Sequence, residues 1–351
     1  MAVIVLVTGA GGQLGRDLVD VLAGRVPHAG RPGRGGPGPG RDVGAGAVEV
    51  VGADHGALDV ASRDAVLGAV EALRPAVVVH GAAWTAVDAC EADPDRAFAV
   101  NALGTRHVAE AARRVGAHVV YVSTDYVFDG SSPEPYREWD RPNPLSVYGR
   151  SKLAGEHALD PSWTVVRTSW VCGAHGANMA KTVLRLAAGE GPLRFVDDQR
   201  GSPTFTADLA GALARLALER LPGTFHVTNA GVTTWYGFAR AVLAAAGHDP
   251  DRVEPIATAD LDPPRPAPRP ANSVLDNAAL RLMGLEGLPD WHEGLERLVA
   301  ALGPSGAGPA RPRRAPAPAP PGGSGPPAHT SAATSGAAVA TAPRSSSEEA
   351  S

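Results

Sequence analysis

The stretch that decides the fold is MAVIVLVTGAGGQLG, residues 1–15. Residues 2–7 form a continuous apolar run, which is typical of a strand buried on both faces of a parallel sheet. Three glycines follow at once with the spacing Gly9-x-x-Gly12-x-x-Gly15, and a helical pattern begins at Leu14. A buried strand, a glycine turn and a helix in this order predict a site for the diphosphate of a dinucleotide.

Each glycine of this turn has a physical reason to be glycine. Gly9 permits the tight strand-to-helix turn, Gly12 lets backbone amides approach a diphosphate, and Gly15 lets the helix pack on the sheet. The N-terminus of the helix then faces the negative charge of the ligand. We therefore expect Gly9, Gly12 and Gly15 to bind a dinucleotide cofactor.

The same texture continues to about residue 170. Further buried strands are predicted at residues 48–51, 76–80, 118–123 and 163–168. Helices are predicted between them at residues 14–22, 63–73, 94–115 and 148–159. This alternation predicts an α/β fold, a Rossmann-like doubly wound parallel sheet with right-handed connections.

Beyond residue 170 the alternation loosens. Helices are predicted at residues 180–188, 207–218, 236–246 and 291–301, with one strand at 224–228 and proline-rich loops near 263–270. We expect residues 1–170 to form the dinucleotide-binding core. Residues 171–303 are expected to form a smaller C-terminal substrate lobe, with segments that return to the core.

Two segments are too poor in large apolar side chains to offset the entropy of ordering. Residues 25–46 are predicted to be a Gly/Pro-rich surface insertion, and residues 304–351 a disordered tail rich in Pro, Ala, Gly and Ser. The chain carries a net charge of −5, but the insertion contributes +3 and the tail +2, so the rest carries −10. Without a basic stripe, no binding of nucleic acid is expected.

The cysteines and the apolar runs argue against other classes of protein. Cys90 and Cys172 lack CxxC spacing, which favours buried thiols over a disulfide or a zinc site. No apolar run approaches the roughly 18 residues that a membrane span requires, and no signal-like segment precedes the first strand. A cytoplasmic protein that does not bind membranes is expected.

A second motif carries the candidate chemistry. Tyr148 and Lys152 are four residues apart on a predicted helix, so both side chains lie on one face. A free tyrosine has a pKa of about 10, and a nearby ammonium would lower it. Together with the glycine turn, this pair indicates nicotinamide-dependent carbonyl or alcohol chemistry, in which Tyr148 exchanges a proton with the carbonyl oxygen of the substrate. Thr124, at the end of a predicted strand, can donate to that oxygen, since ligands of open α/β sheets lie at these strand ends. We predict that Thr124, Tyr148 and Lys152 are catalytic, with Lys152 also bonding the nicotinamide ribose.

The other end of the cofactor is expected beyond the second strand. Asp54 follows that strand and is placed to bind the adenosine ribose hydroxyls, while Asp59 and Val60 are suited to flank the adenine. Arg16 could instead pair with a 2′-phosphate. The sequence therefore leaves both NADH and NADPH open as the cofactor.

With these residues placed, the chain resembles the extended short-chain dehydrogenase/reductases and, within them, the dTDP-4-dehydrorhamnose reductase family. The similar stretches are VTGAGGQLGRDL, VVVHGAAWTAVDACE, VNALGT, VYVSTDYVFDG, YGRSKLAGE, VVRTSWVCG, DDQRGSPT and RPANSVLDN. They are spread from residue 3 to about residue 300, and STDYVFDG followed by YGRSKLAGE is the most specific part.

The resemblance implies further roles for residues of this chain. Gln13 and Leu14 would contact the cofactor diphosphate together with Gly12. Ala82, Ala83 and Trp84 would line the cofactor, and Tyr148 and Lys152 would also contact it. The substrate would be met by Val87, Thr124, Asp125 and Trp170.

The resemblance also implies a reaction, in which a hydride passes from NAD(P)H to C4 of dTDP-4-dehydro-β-L-rhamnose and Tyr148 donates the proton. Another nucleotide-diphosphate-sugar 4-ketoreductase, or a non-catalytic nucleotide-binding regulatory subunit, is an alternative. Some members of the family use Mg²⁺, but no ligand spacing here supports it, so no metal is predicted. A monomer or a homodimer is expected.

Overall fold

The first strand belongs to a six-stranded parallel sheet in the computed structural model, which describes residues 2–26 and 48–303. The order across the sheet is β10-β5-β4-β3-β1-β2, and every neighbouring pair is parallel. These six strands are β1 Val3–Thr8, β2 Val48–Ala53, β3 Val77–His80, β4 His118–Thr124, β5 Thr164–Thr168 and β10 Gly223–His226. The order reverses between β1 and β3, as in a doubly wound sheet, so the predicted fold class is confirmed.

Eleven α-helices are described. They are α1 Gln13–Leu22, α2 Arg63–Leu73, α3 Val87–Ala92, α4 Pro94–Phe98, α5 Gly104–Val115, α6 Val147–Glu156, α7 Met179–Ala187, α8 Thr206–Glu219, α9 Trp235–Ala245, α10 Ala278–Leu282 and α11 Trp291–Leu302. Of these, α1 and α8 cover one face of this sheet and α2 and α5 the other. The remaining short strands are β6 Val171–Cys172, β7 Leu193–Val196, β8 Arg200–Gly201, β9 Thr204–Phe205, β11 Thr233–Thr234 and β12 Val253–Ile256.

Alternate residues of each strand point to opposite faces and build two cores. Val5 and Val7 pack with α1 and α8 on one face. Leu6, between them, packs with α2 and α5 on the other. A strand that is apolar at every position is therefore explained by burial on both sides.

Residues after 170 both complete the sheet and build a separate core. The strand predicted at residues 224–228 is β10, the edge strand beside β5, and α8 packs on the same core as α1. A third cluster is formed by residues from α7, α9 and α11, and includes Phe205 and Trp291. All the described residues belong to one compact unit.

Most predicted elements are shifted by one or two residues, and the largest differences within the core are in three helical regions. The helix expected at residues 94–115 is divided into α4, a π-helical turn at Ala99–Leu103 and α5. Helix α3 was not predicted, and α6 begins one residue earlier and ends three residues earlier than expected. Periodicity could not reveal the π turn because its side chains are also apolar or small.

Parts of the sequence predictions lie outside the described residues. These are positions 27–46 of the insertion and the whole tail at 304–351. Cys90 and Cys172 are free and buried, as predicted. None of the helices described in residues 2–26 and 48–303 is long and apolar enough to cross a lipid bilayer.

Replacing Leu213 tests the core that joins the first helix to the second half of the chain. Leu213 of α8 is fully buried against β1 and α1, so Leu213→Ala should lower the free energy of unfolding by about 2–5 kcal/mol. Leu282→Ala is the control, because Leu282 is 73% exposed and its loss should change stability by less than about 0.5 kcal/mol. Chemical denaturation of the full chain measures both, and equal losses would contradict this assignment of the core.

Candidate active site

The glycine turn is shaped by contacts within the chain. Gly9 has a φ of +73°, and a Cβ there would lie 2.7 Å from the amide nitrogen of Ala82. A Cβ at Gly15 would overlap the carbonyl oxygen of Gly9. These two positions therefore require glycine for folding alone, whatever ligand binds.

The N-terminus of α1 fits an anionic group such as the cofactor diphosphate. Gly12 caps the helix without a side-chain acceptor, and the first turn contains no acidic residue. A Cβ at Gly12 would meet only the Gly9 carbonyl oxygen, at 3.3 Å. Open amides and the positive end of a helix dipole are what a diphosphate needs.

Gln13 and Leu14 follow in the first turn of α1. The Gln13 Nε2 donates to the carbonyl oxygen of Val171 at 3.4 Å, and Asn178 Nδ2 donates to Gln13 Oε1 at 3.1 Å. Leu14 packs against the first core. Gln13 therefore joins the glycine turn to the segment that follows Trp170.

A cleft of about 580 Å³ lies beside the turn, lined by Gly11, Arg16, Asp54 and His175 among others. Asp54 follows β2 as predicted, and its Oδ1 accepts a hydrogen bond from the amide of Ala57 at 3.0 Å. Arg16 Nε donates to the Gly11 carbonyl oxygen at 3.2 Å. The structure therefore brings both candidates for recognising the adenosine ribose to one cleft.

Asp59 and Val60 differ from each other in exposure. Asp59 is exposed and its Oδ1 accepts from the Ala61 amide at 3.0 Å. Val60 is 3% exposed and belongs to the core formed with α2 and α5. The Val60 side chain therefore packs in the core. The predicted position of Asp59 and Val60 beside the adenine stays a prediction.

The loop after β3 is held from beneath by Asn101, which lies in the π turn. The Trp84 amide donates to Asn101 Oδ1 at 2.8 Å, and Asn101 Nδ2 donates to the Trp84 carbonyl oxygen at 3.1 Å. Asn101 Nδ2 also donates to Ser151 Oγ on α6 at 3.0 Å. Ala82, Ala83 and Trp84 are thereby fixed next to the helix that carries Tyr148. Sequence reasoning noted VNALGT but not this role of Asn101.

Tyr148 lies in the first turn of α6, next to the end of β4. The ring of Tyr126 meets it edge-on at 5.9 Å between centroids, and the side chain of Thr124 is near enough to the Tyr148 hydroxyl to influence its pKa. Ser146 caps the helix by accepting from the Gly149 amide at 3.1 Å. The structure therefore brings Thr124 and Tyr148 together, as their order in the sequence predicted.

The pKa of Tyr148 corrects one expectation. Burial raises the pKa of Tyr148 well above its ordinary value, the Thr124 hydrogen bond opposes this, and the charge of Asp125 adds to the rise. The expected lowering by Lys152 does not decide this pKa, because desolvation of the phenolate dominates. Tyr148 therefore keeps its proton at neutral pH, which is the state that a proton donor requires.

Lys152 is buried beneath Tyr148, with 2% of its surface exposed. Its Nζ donates to the carbonyl oxygen of Val122 at 2.7 Å and lies 4.1 Å from the centre of the Tyr121 ring. Burial lowers the pKa of Lys152 to about 7, and the charge of Glu156 opposes this. A modest further fall in this pKa would therefore leave Lys152 mostly uncharged at neutral pH.

Two buried polar atoms at the ends of β4 and β5 have no hydrogen-bond partner within the described part of the chain. They are Asp125 Oδ2 and Thr168 Oγ1. Thr124 Oγ1 donates to the other carboxylate oxygen, Asp125 Oδ1, at 2.9 Å, and burial raises the pKa of Asp125 to about 6. Because Thr124 and Thr168 are neighbours in register, these two strand ends form one polar edge of the sheet. Thr168 was not singled out from the sequence.

Trp170 has a strained backbone. Its φ of +46° lies in the left-handed region that bulky residues avoid, and the Thr204 amide fixes its carbonyl oxygen at 3.2 Å. The indole stacks on Trp235 with 3.6 Å between centroids and 7° between planes. Strain held in place by such contacts is typical of functional sites. Trp235, 65 residues further on, gave no sequence signal of this pairing.

A charged cluster lies on the other side of Tyr126. Asp88, next to the predicted substrate residue Val87, forms a bidentate ion pair with Arg269 at 2.7 and 2.8 Å. Arg265 reaches the same carboxylate at 3.5 Å and is half exposed. All three charges act on the Tyr126 hydroxyl. Two arginines share one aspartate here, so the cluster carries a net positive charge that sequence reasoning missed.

Among residues 2–26 and 48–303, no three His, Cys, Asp or Glu side chains are grouped as a metal site needs. The absence of a metal stays a prediction.

The chain is similar to proteins whose names agree with the resemblance. Residues 3–303 match the family described as RmlD substrate binding domain. A dTDP-4-dehydrorhamnose reductase of Streptomyces griseus is 44% identical over 306 residues, 85% of this chain and 93% of that protein. A probable dTDP-4,6-dihydroxy-2-methyloxan-3-one 4-ketoreductase of Streptomyces antibioticus is 41% identical over 83% of this chain and 92% of that protein.

A solved structure is similar over nearly its whole length. The dTDP-4-dehydrorhamnose reductase of Bacillus anthracis, in complex with NADP, is 37% identical, and the TM-score is 0.76. The match covers 86% of this chain and 99% of that one.

Replacing Gly9 tests the glycine turn. Gly9→Ala places a methyl group against Ala82 and forces alanine to a positive φ, which should weaken NADP(H) binding about tenfold or more. Gly24→Ala is the matched control, since Gly24 has a φ of +67° but nothing within 4 Å of its Cβ position. Calorimetric titration measures the affinities, and equal effects of the two changes would mean that the close contact at Gly9 is unimportant.

Proposed function

The chain belongs to the dTDP-4-dehydrorhamnose reductase family, and we propose that it reduces the C4 ketone of dTDP-4-dehydro-β-L-rhamnose to give dTDP-β-L-rhamnose. The observation that carries the proposal is the placing of Thr124, Tyr148 and Lys152 at the end of β4. The sheet order reverses beside β1, and ligands of doubly wound sheets bind at that point. Bound NAD(P)H would supply the hydride for the reduction.

The residues of this chain account for the proton and for the position of the sugar. Tyr148, kept protonated by burial, donates its proton to the oxygen that gains negative charge as the ketone is reduced. Thr124, whose hydroxyl donates to Asp125 Oδ1 in the structure, would turn to donate to the same oxygen, an electrostatic stabilisation that grows with the developing charge. Lys152, whose Nζ donates to the Val122 carbonyl oxygen, lies on the same face of α6 as Tyr148 and would bond the nicotinamide ribose.

The sugar would lie at the polar edge of the sheet formed by the strand ends that carry Asp125 and Thr168. A buried acceptor without a partner is costly, and a hydroxyl of the substrate would satisfy Asp125 Oδ2. Trp170, held by Trp235, would cover the sugar from the lobe. We propose that residues 171–303 supply this substrate lobe while α8 and β10 return to the core.

The cofactor can be either dinucleotide. Asp54 suits the free 2′-hydroxyl of NADH, whereas Arg16 in the same cleft suits the 2′-phosphate of NADPH. The similar Bacillus anthracis structure contains NADP.

The diphosphate of the substrate would be recognised by the cluster of Asp88, Arg265 and Arg269. Asp88 forms two short hydrogen bonds with Arg269. Arg265 is farther from the same carboxylate, at 3.5 Å, so its charge is less fully neutralised. Arginine binds diphosphate oxygens in paired hydrogen bonds. A residual positive charge beside Tyr126 therefore supports an anionic nucleotide sugar as the substrate.

A second candidate is another nucleotide-sugar 4-ketoreductase. It is favoured by the 41% identity to the probable 4-ketoreductase of Streptomyces antibioticus. Oxidation of NADH and NADPH with a panel of dTDP-, UDP- and GDP-4-keto sugars separates the candidates, because only the first predicts efficient turnover of dTDP-4-dehydrorhamnose. The absence of turnover with every sugar would favour a non-catalytic subunit. We also propose a cytoplasmic monomer or homodimer, which size-exclusion chromatography with light scattering tests for mass.

Tyr148→Phe tests the proton donor. The change removes one hydroxyl from a site where burial favours the uncharged phenol over the phenolate, so the variant should still fold. Because the proton donor is lost, kcat should fall by about 10²-fold or more. Single-turnover oxidation of NAD(P)H with the 4-keto sugar measures the step, and circular dichroism checks that the variant is folded. Turnover near that of the unmodified protein would remove Tyr148 from its role.

Arg265→Ala tests recognition of the diphosphate. Hydrogen bonds to charged groups contribute about 1.5–3 kcal/mol, so KM for the dTDP-sugar and Kd for dTDP should both rise about tenfold with little change in kcat. Arg194→Ala is the control, because Arg194 is also exposed and pairs with one carboxylate, Glu254, at 3.3 Å. Steady-state kinetics at low salt provide the comparison. An unchanged Kd for dTDP would exclude Arg265 from the binding site.

A further inference from the structure

Glu156 lies two turns beyond Tyr148 on α6. Tyr148, Lys152 and Glu156 are spaced by four residues and so share one face of the helix. Only 7% of the Glu156 side chain is exposed. A buried carboxylate on the catalytic face of this helix needs an explanation, since charged groups are rarely buried without partners.

Three hydrogen bonds hold this carboxylate. Arg167 Nε donates to Glu156 Oε1 at 3.0 Å and Arg167 Nη2 donates to Oε2 at 2.7 Å. Ser123 Oγ also donates to Oε1, at 2.5 Å. Ser123 and Arg167 are partners in register on β4 and β5. The end of α6 is thereby tied to both strands whose ends form the candidate site.

The anchor is adjacent to the atoms that hold Lys152. Ser123 lies between Val122, whose carbonyl oxygen accepts from Lys152 Nζ at 2.7 Å, and Thr124. Glu156 is therefore connected through one residue of β4 both to the acceptor of the ammonium and to the threonine beside Tyr148.

Few other charges face Lys152. From β3, His80 is fully buried, and burial followed by the charge of Lys152 lowers the pKa of His80 to about 3, so it is neutral. From β4, Tyr121 presents its ring face, and from α6 Tyr148 keeps its proton. Arg167 of β5 is paired with Glu156 itself. Within the described residues, Glu156 is the one carboxylate that acts on Lys152.

We propose that Glu156 is a positioning residue: anchored by Ser123 and Arg167, its carboxylate keeps the buried Lys152 ammonium charged and aligned on the Val122 carbonyl. The proposal rests on the proposed role of Lys152 beside Tyr148. A carboxylate that only attached α6 to the sheet would affect stability and leave the titration of Lys152 unchanged.

The direction of the effect follows from the charges. Burial lowers the pKa of Lys152 to about 7, and Glu156 raises it against burial. Removing the negative charge should lower this pKa further, so that Lys152 loses its proton at a lower pH. In the free enzyme, the alkaline limit of kcat/KM should then move to lower pH.

The chain offers a direct measurement because it contains two lysines, Lys152 and Lys181. Lysine labelled with ¹³C at Cε gives one signal for each in the full-length protein, and Lys181→Arg assigns them. In Glu156→Gln, the titration midpoint of Lys152 should fall by about one pH unit. The signal of Lys181 should not move. Ser123→Ala is the matched control, because it removes a hydrogen bond from the same carboxylate and keeps the charge, so the Lys152 midpoint should stay in place.

An unchanged Lys152 midpoint in folded Glu156→Gln would overturn the proposal, as would an equal shift in Ser123→Ala. If Glu156→Gln alone does not fold, the double variant with Arg167→Gln replaces the whole ion pair, a change that buried pairs often tolerate. A downward shift is expected there too, smaller because the positive charge of Arg167 is lost as well, and an unshifted midpoint counts against the proposal. The titration needs no substrate, so a shift without turnover of any 4-keto sugar would refute only the proposed function.

Discussion

Burial of the Lys152 ammonium is the constraint around which the candidate site is arranged. Desolvation disfavours the charged form of a buried amine. Three groups favour the charged form of Lys152: the Val122 carbonyl, the Tyr121 ring and the carboxylate of Glu156. Each partner comes from β4 or α6, the two elements that also carry Thr124 and Tyr148. The geometry of the proton donor therefore depends on how the amine is kept charged.

The same burial has opposite effects on the other titratable groups. It raises the pKa values of Tyr148 and Asp125 and lowers that of His80, because each neutral form is favoured where water is excluded. Tyr148 thus retains the proton that reduction of a ketone consumes. Burial raises the pKa of Asp125 to about 6. One of its carboxylate oxygens has no hydrogen-bond partner in the described residues and can accept a hydrogen bond from a hydroxyl group. One low-dielectric environment prepares a donor and an acceptor at neighbouring strand ends.

Local sequence was sufficient for the elements that are determined by local physics. The all-apolar run at residues 2–7, the glycines at 9 and 15 and the four-residue spacing of Tyr148 and Lys152 each predict a structure without reference to distant residues. The doubly wound class and the edge at which the site lies follow from rules for parallel strands and their connections. The dinucleotide core was accessible for this reason, and β10 was recognised as a strand although its place beside β5 was not.

What the sequence could not reveal depends on pairs that are far apart along the chain. Trp170 and Trp235 stack, Asp88 binds Arg269 and Arg265, and Asn101 supports Trp84 and Ser151. None of these pairs has a fixed spacing, because each is created by the tertiary fold. The pKa of Tyr148 was misjudged for the same reason: spacing on a helix places two side chains on one face, but it does not show that Lys152 is buried and Tyr148 half-buried. Since burial sets the protonation states here, the chemistry of the site is a property of its packing, and the motif only identifies which side chains are packed.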